Sequence, residues 1–130
     1  MKVVIIGGVA GGAAAAARIR RLDEHAQIVM LERSGYISYA NCGLPYYIGG
    51  AIEDAGELTL QTPESFHARF RVDVRVHHEA TAIDLENKVV RVRNLKTRET
   101  YEEPYDKLVL APGARPIMPG LPGIDSPELF

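Results

Sequence analysis

The turn Gly7-Gly8-Val9-Ala10-Gly11-Gly12 constrains this chain more than any other segment. Ahead of it, residues 3–6 are a short run of valine and isoleucine. A continuous apolar run of that length reads as a strand buried on both faces, as in a parallel sheet. Behind it, residues 11–22 are rich in alanine and close with Arg18, Arg20 and Arg21. That composition predicts a helix with small residues at its start and cations near its C-terminus, where the helix dipole favours them. Residues 27–31 form a second apolar run that ends at Glu32. Strand, glycine turn, helix and strand make a βαβ unit, and the expected class is α/β with a doubly wound parallel sheet.

The rest of the chain adds a second pattern. Thr62 is placed to cap a helix with Pro63 at its first position,. Residues 72–76 alternate apolar and charged, a strand with one wet face,. Residues 81–84, 88–93 and 99–102 read as an antiparallel β-meander, with turns at Glu86-Asn87 and Lys96-Thr97,. Residues 106–110 are a further buried strand, stopped by Ala111-Pro112-Gly113. The tail holds Pro116, Pro119, Pro122 and Pro127 and reads as an extended connection,. Residues 1–114 are therefore expected to be the first segment of an incomplete domain, and residues 115–130 a proline-rich lead toward something further.

Glycines at a strand-to-helix turn let the backbone approach a pyrophosphate closely. Gly7 and Gly12 take the first and third positions of that fingerprint, while Val9 stands where the middle glycine would be. A valine there narrows the approach unless the loop backs away. Glu32, at the end of the second strand, is placed to accept hydrogen bonds from both hydroxyls of a ribose and to repel a 2′-phosphate.

A second candidate site lies in Ser38-Tyr39-Ala40-Asn41-Cys42-Gly43-Leu44-Pro45-Tyr46. Proline is tolerated in a helix's first turn, so Cys42 is expected at or near a helix N-terminus. Unpaired N–H groups and the dipole there would favour a thiolate, the form that redox chemistry needs. The alternative is a buried structural cysteine, the commoner fate of a free thiol. Polar Ser38 and Asn41 beside it favour the redox reading.

Other classes are set aside by composition. With 15 basic and 17 acidic residues the net charge is −2, which gives no electrostatic reason to expect nucleic acid or an anionic membrane as partner. No apolar run approaches the about 20 residues of a membrane span, and the N-terminus lacks the pattern of a signal peptide. One cysteine excludes an internal disulfide,. A cytoplasmic setting is expected. His25, His67, His77 and His78 show no metal-ligand spacing, so no metal is expected and surface placement is the reading,.

Three segments together resemble the coenzyme A disulfide reductases: residues 4–12, Ser38 to Tyr46, and Tyr105-Asp106-Lys107-Leu108-Val109-Leu110-Ala111-Pro112-Gly113-Ala114. The likeness is strongest to the branch fused to a rhodanese domain, and valine at the middle glycine position is usual there. The resemblance implies an FAD-binding Rossmann-type domain, with FAD over Gly7, Gly8, Val9, Ala10, Gly11 and Gly12 and its ribose on Glu32. It also implies Arg33 near the adenosine, backbone at Ala80 against the adenine, and Ala111, Pro112 and Gly113 close to the cofactor. The isoalloxazine would lie near Asn41 and Cys42. The implied enzyme passes electrons from NAD(P)H through FAD to a disulfide between Cys42 and coenzyme A, or to a persulfide or polysulfide. Ala14, Ser38, Asn41, Thr62 and Arg71 match substrate-contacting positions, with Arg69 the alternative to Arg71. Arg18 and Arg21 match positions near the coenzyme A phosphates; their plainer reading is a solvated helix face. The family implies a second nucleotide-binding domain and a homodimer formed through a C-terminal domain. Two rivals remain: an NADH oxidase or peroxidase cycling Cys42 through a sulfenic acid, and a non-catalytic nucleotide-binding fragment with an inert thiol.

Overall fold

The computed structural model describes residues 1–115, 117–124 and 126. Pro116 and Pro127 of the proline-rich tail lie outside the described residues. The first unit is as expected: β1 (Lys2–Ile6), α1 (Ala10–Leu22) and β2 (Gln27–Glu32). Next come β3 (Ile37–Tyr39), a 3-10 turn Asn41–Gly43, α2 (Leu44–Ile48), a second 3-10 turn Ala55–Leu58, and β4 (Thr59–Gln61). The chain continues through α3 (Pro63–Phe70), β5 (Val72–Val76), β6 (His78–Asp84), β7 (Val89–Asn94), β8 (Thr100–Pro104) and β9 (Lys107–Leu110).

β5, β2, β1 and β9 form a parallel sheet in that order. Side chains alternate across it, as strand geometry demands. Val3, Ile5, Ile28 and Met30 face α1 and α3, packing on Ala13, Ala16 and Phe66. Val4, Val29 and Leu31 face the other way, onto Val90 and Val92 of β7. The antiparallel sheet β6-β7-β8 thus covers one face and the helices the other. Ala13 and Ala16 bring α1 close to the sheet, and Gly12 brings it closer still. A Cβ on Gly12 would sit 1.7 Å from the Gly7 carbonyl oxygen, which only glycine avoids.

The meander is longer than its sequence signal. β6 begins at His78 rather than residue 81, because Glu79 and Ala80 already pair with Arg93 and Val92. Thr81 is then bulged out, since Ala80 pairs with Val92 and Ala82 with Arg91. Both expected turns form around an acceptor side chain. Asp84 Oδ1 accepts from the N–H groups of Glu86 and Asn87, and Asn94 Oδ1 from those of Lys96 and Thr97,.

Thr62 caps α3 as expected, accepting from Ser65 N–H at 3.2 Å, while the Ser65 hydroxyl accepts in return from Thr62 N–H at 3.0 Å,. The antiparallel ribbon β3-β4 has no counterpart in the sequence reading. Among the described residues, no helix is long and apolar enough to cross a membrane, and no cluster of three or more His, Cys, Asp or Glu side chains is arranged to hold a metal.

Candidate active site

The carboxyl ends of β1, β2 and β9 open onto a recess of about 270 Å³, where doubly wound sheets place their ligands. Gly7 forms its floor with φ +98°, and a Cβ there would lie 2.0 Å from the Ala111 carbonyl oxygen. Ala111 is held by its N–H, donated to the Ile6 carbonyl at 2.8 Å. Glu32, Arg33, Ala80, Pro112 and Gly113 line the recess. Six residues named from the sequence or its resemblance, Gly7 included, therefore meet in one hollow.

Glu32 is buried and already engaged. Its Oε2 accepts from Gly8 N–H and its Oε1 from Ser34 N–H, both at 2.8 Å. A carboxylate offers about four lone-pair sites, so each oxygen keeps room for one more donor, the number a ribose diol brings. No side chain caps the N-terminus of α1, and its first turn carries no acid. Four orphan N–H groups and a positive dipole end then suit a pyrophosphate. Val9 is the N-cap residue, one position ahead of the helix. The glycine cradle, the uncapped helix start and the two-oxygen acceptor fit a dinucleotide.

Cys42 is exposed. It opens on a second, larger cavity of about 710 Å³. One wall is the alanine face of α1, including Ala10 and Ala14; the loop supplies Ser38 and Asn41; Arg21 and Arg69 are its cations. Val9 and Ala10 of the glycine turn line this cavity too. A further hollow of about 510 Å³, walled by Val9, Tyr36, Tyr39 and Asn41, adjoins it and shares Val9, Tyr39 and Asn41 with its lining. The glycine turn and the thiol therefore border connected space.

Three expectations change here. Cys42 stands in the 3-10 turn just before α2, but that helix has five residues, and the nearby donors are occupied. Gly43 N–H bonds the Ala40 carbonyl at 2.9 Å, and Leu44 N–H bonds the Asn41 carbonyl. The turn thus exposes the sulfur without leaving those two amides free for it. Second, Arg18 shares a helix face with Ala14 and Arg21, yet only the latter two reach the cavity lining. Arg20, read from sequence as one more cation on the dipole, instead donates to the carbonyls of Phe70, Asp23, Glu24, Ala26 and Arg71. Third, Thr62 and Arg71 stand outside the Cys42 cavity. The Thr62 hydroxyl caps α3. Arg71 ends that helix with φ +49° and turns into a separate recess beside Lys2, Gln27 and Asp73. Arg69, whose guanidinium carbon lies 5.2 Å from the centre of the Phe70 ring, is the residue facing the thiol side. Tyr39, from the motif around Cys42, joins the lining, and so do Phe66 and Phe70, which carry no sequence signal beyond their bulk.

Comparison with known proteins agrees with this geometry. The family model for pyridine nucleotide-disulphide oxidoreductases matches residues 1–130. Coenzyme A disulfide reductase of Staphylococcus aureus (strain JH9) is 48% identical over 113 residues, which is 87% of this chain and 26% of that protein. The solved structure of reduced Bacillus anthracis CoADR-RHD superposes with a TM-score of 0.90 at 54% identity, covering 95% of this chain and 22% of its own. An NAD-dependent persulfide reductase from A. fulgidus gives 0.89 at 39% identity, covering 96% and 24%. The chain thus spans about a quarter of the length of these relatives. Matched by the family model from residue 1 to residue 130, the chain belongs to the pyridine nucleotide-disulphide oxidoreductase family.

Proposed function

We propose that this chain is the N-terminal, FAD-holding part of a flavoenzyme that uses NAD(P)H to reduce coenzyme A disulfide, or coenzyme A persulfide and polysulfide, through Cys42. One observation carries the reading: the exposed Cys42 thiol and the glycine turn line the same cavity, with Val9 and Ala10 in common. Glu32 holds the ribose, the first turn of α1 the pyrophosphate, and Arg33, Ala80, Ala111, Pro112 and Gly113 enclose the adenosine side. FAD, when bound, would supply the electron pair, received as hydride from NAD(P)H, that breaks the sulfur–sulfur bond at Cys42, restoring its thiol and releasing the second coenzyme A thiol, or sulfide where the substrate is a persulfide.

The remaining steps belong to the chain's own residues. The Cys42 thiolate attacks one sulfur of coenzyme A disulfide, forming a Cys42–coenzyme A mixed disulfide and releasing one coenzyme A thiolate. With a persulfide, Cys42 takes the sulfane sulfur and coenzyme A leaves as thiol. Ser38 and Asn41 flank the pantetheine arm along the alanine face of α1. Arg21 and Arg69 offer planar cationic forks to the phosphates. Residues 115–130 lead to an NAD(P)H-binding domain, and a C-terminal domain forms a homodimer. The enzyme is cytoplasmic.

The test is the intact mass of the chain after incubation with coenzyme A disulfide. One coenzyme A added, removed by dithiothreitol and absent from Cys42→Ser, is the expected result. No adduct, together with a dimedone-trapped sulfenic acid after hydrogen peroxide, would support the oxidase or peroxidase reading instead.

A further inference from the structure

His78 is the one aromatic side chain on the wall of the Glu32 recess among the described residues, and the preceding reading gives it no role. Alternation along β6 puts His78 and Ala80 on the same face, and both line the recess. The bulge at Thr81 follows directly; such bulges re-aim the side chains around them.

The ring is fixed in tautomer and in plane. Nδ1 lies 2.8 Å from the Val76 carbonyl oxygen. A carbonyl only accepts, so Nδ1 carries the proton, and the neutral ring keeps Nε2 as a bare acceptor. Tyr101 meets the imidazole edge-on, with centroids 6.0 Å apart and planes at 68°. Tyr101 is itself clamped: its hydroxyl accepts from Arg75 Nη1 at 2.9 Å, and the Arg75 guanidinium stands 5.6 Å from its ring centre. Arg75 is anchored in turn to Asp73 at 2.6 Å and to Glu103. A surface histidine with no task would not need a ring held from two sides.

We propose that His78 is a specificity-determining residue that reads the purine base in this recess, its Nε2 accepting from an exocyclic amino group. The inference rests on the FAD reading above and deepens it. A 6-amino purine presents a donor to the lone pair. A 6-oxo purine presents another acceptor, which leaves both groups desolvated and unpaired. Tyr101 acts as a positioning residue through the imidazole. Of the other charged groups on the recess wall, Glu32 is tied to Gly8 and Ser34, Arg33 and Arg115 are donors only, and Glu79 alternates to the opposite face of β6 from His78 and Ala80.

The test titrates the full chain with FAD and with its deaminated analogue, which carries hypoxanthine, and follows quenching of flavin fluorescence. Wild type should prefer FAD by about tenfold. His78→Leu should lower FAD affinity to that of the analogue. His78→Gln, whose amide turns to offer either a donor or an acceptor, should raise the analogue toward FAD. Glu32→Ala should weaken both flavins and leave their ratio as in wild type. A folding defect lowers both affinities alike and leaves the ratio intact, so the ratio is the readout. Equal binding of the two flavins by wild type, or an unchanged preference in both His78 variants, overturns the proposal while the FAD reading stands. Binding of neither flavin by wild type overturns both.

Discussion

The Gly8 carbonyl accepts a hydrogen bond from Ser38 N–H at 2.9 Å, while Gly8 N–H is donated to Glu32 at 2.8 Å. One residue thus connects the turn at the start of α1, the acid at the end of β2 and the loop that carries Cys42. Ser38 adopts φ +50° at this junction, a conformation that costs a non-glycine residue energy unless its surroundings impose it. The nucleotide side and the thiol side are therefore not independent features on a common scaffold.

Gly8→Ala tests that connection. An added Cβ would lie 2.7 Å from Ile37 Cγ2 and 3.1 Å from Met30 Sδ, and both residues are fully buried. Relief has to come from moving the backbone at Ile37, next to Ser38. The expected result is a loss of about 2 kcal/mol in stability, with a changed alkylation rate at Cys42 and weaker flavin binding in the same variant. Urea unfolding, iodoacetamide kinetics and flavin titration measure the three. A change at one site with the other untouched would show that they are uncoupled.

Arg20 is predicted to matter through structure alone. It joins the ends of α1 and α3 by donating to five carbonyls. Arg20→Ala should cost about 3 kcal/mol. Arg20→Lys should recover less than half of that, since one ammonium cannot span the fork's partners. Chemical denaturation reads both, and the rate of mixed-disulfide formation at Cys42 well below the unfolding transition should stay within about twofold of wild type.

How much of this was readable beforehand depends on where each signal resides. β1, α1 and β2 are written locally, in an apolar run, a glycine turn and an alanine helix, and Thr62-Pro63 marks the start of α3 to the residue. The β3-β4 ribbon is not, because three-residue strands carry no period; Ile37 and Gln61 pair only once the sheet has formed. Arg18, Arg20 and Arg21 look alike in sequence. What separates them is the nearness of the Phe70 and Arg71 carbonyls to Arg20, a tertiary fact. The choice between Arg69 and Arg71 likewise turns on where α3 ends and on the left-handed Arg71 that sends the chain away.

Acid should weaken the join between the two sheets through Glu103. Burial raises this carboxyl, but hydrogen bonds from Lys2 and Arg75 and their charges outweigh it, so its pKa lies below the ordinary carboxylate value. Arg75 is held above its own ordinary value: burial opposes this, and bonds to Asp73, Tyr101 and Glu103 outweigh it. A carboxyl depressed in the folded state stabilises above its unfolded pKa, and that contribution is lost as pH falls through the folded value. Stability should therefore decline on acidification below the ordinary carboxylate range, and Glu103→Gln should flatten the decline while lowering stability at neutral pH. Unfolding free energies across a pH series check the slope; an unaltered slope in the variant would assign the acid sensitivity elsewhere.

The cationic end of the Cys42 cavity gives the sharpest contrast among nearby arginines. Arg21 and Arg69 line the cavity, whereas Arg71 lies in the recess beside Lys2 and Asp73. A bidentate arginine–phosphate contact is worth enough to change affinity by about tenfold. Arg21→Ala and Arg69→Ala should each raise by about tenfold the coenzyme A disulfide concentration that half-saturates mixed-disulfide formation at Cys42. The limiting rate at saturation should stay nearly constant, because neither guanidinium takes part in the exchange. Added salt should narrow the gap between wild type and variants, since exposed charges are screened. Arg71→Ala should remain within about twofold of wild type throughout. An Arg71 effect as large as that of Arg69 would mean that substrate follows the Arg71 side of α3, and the cavity beside Cys42 would then not be its path.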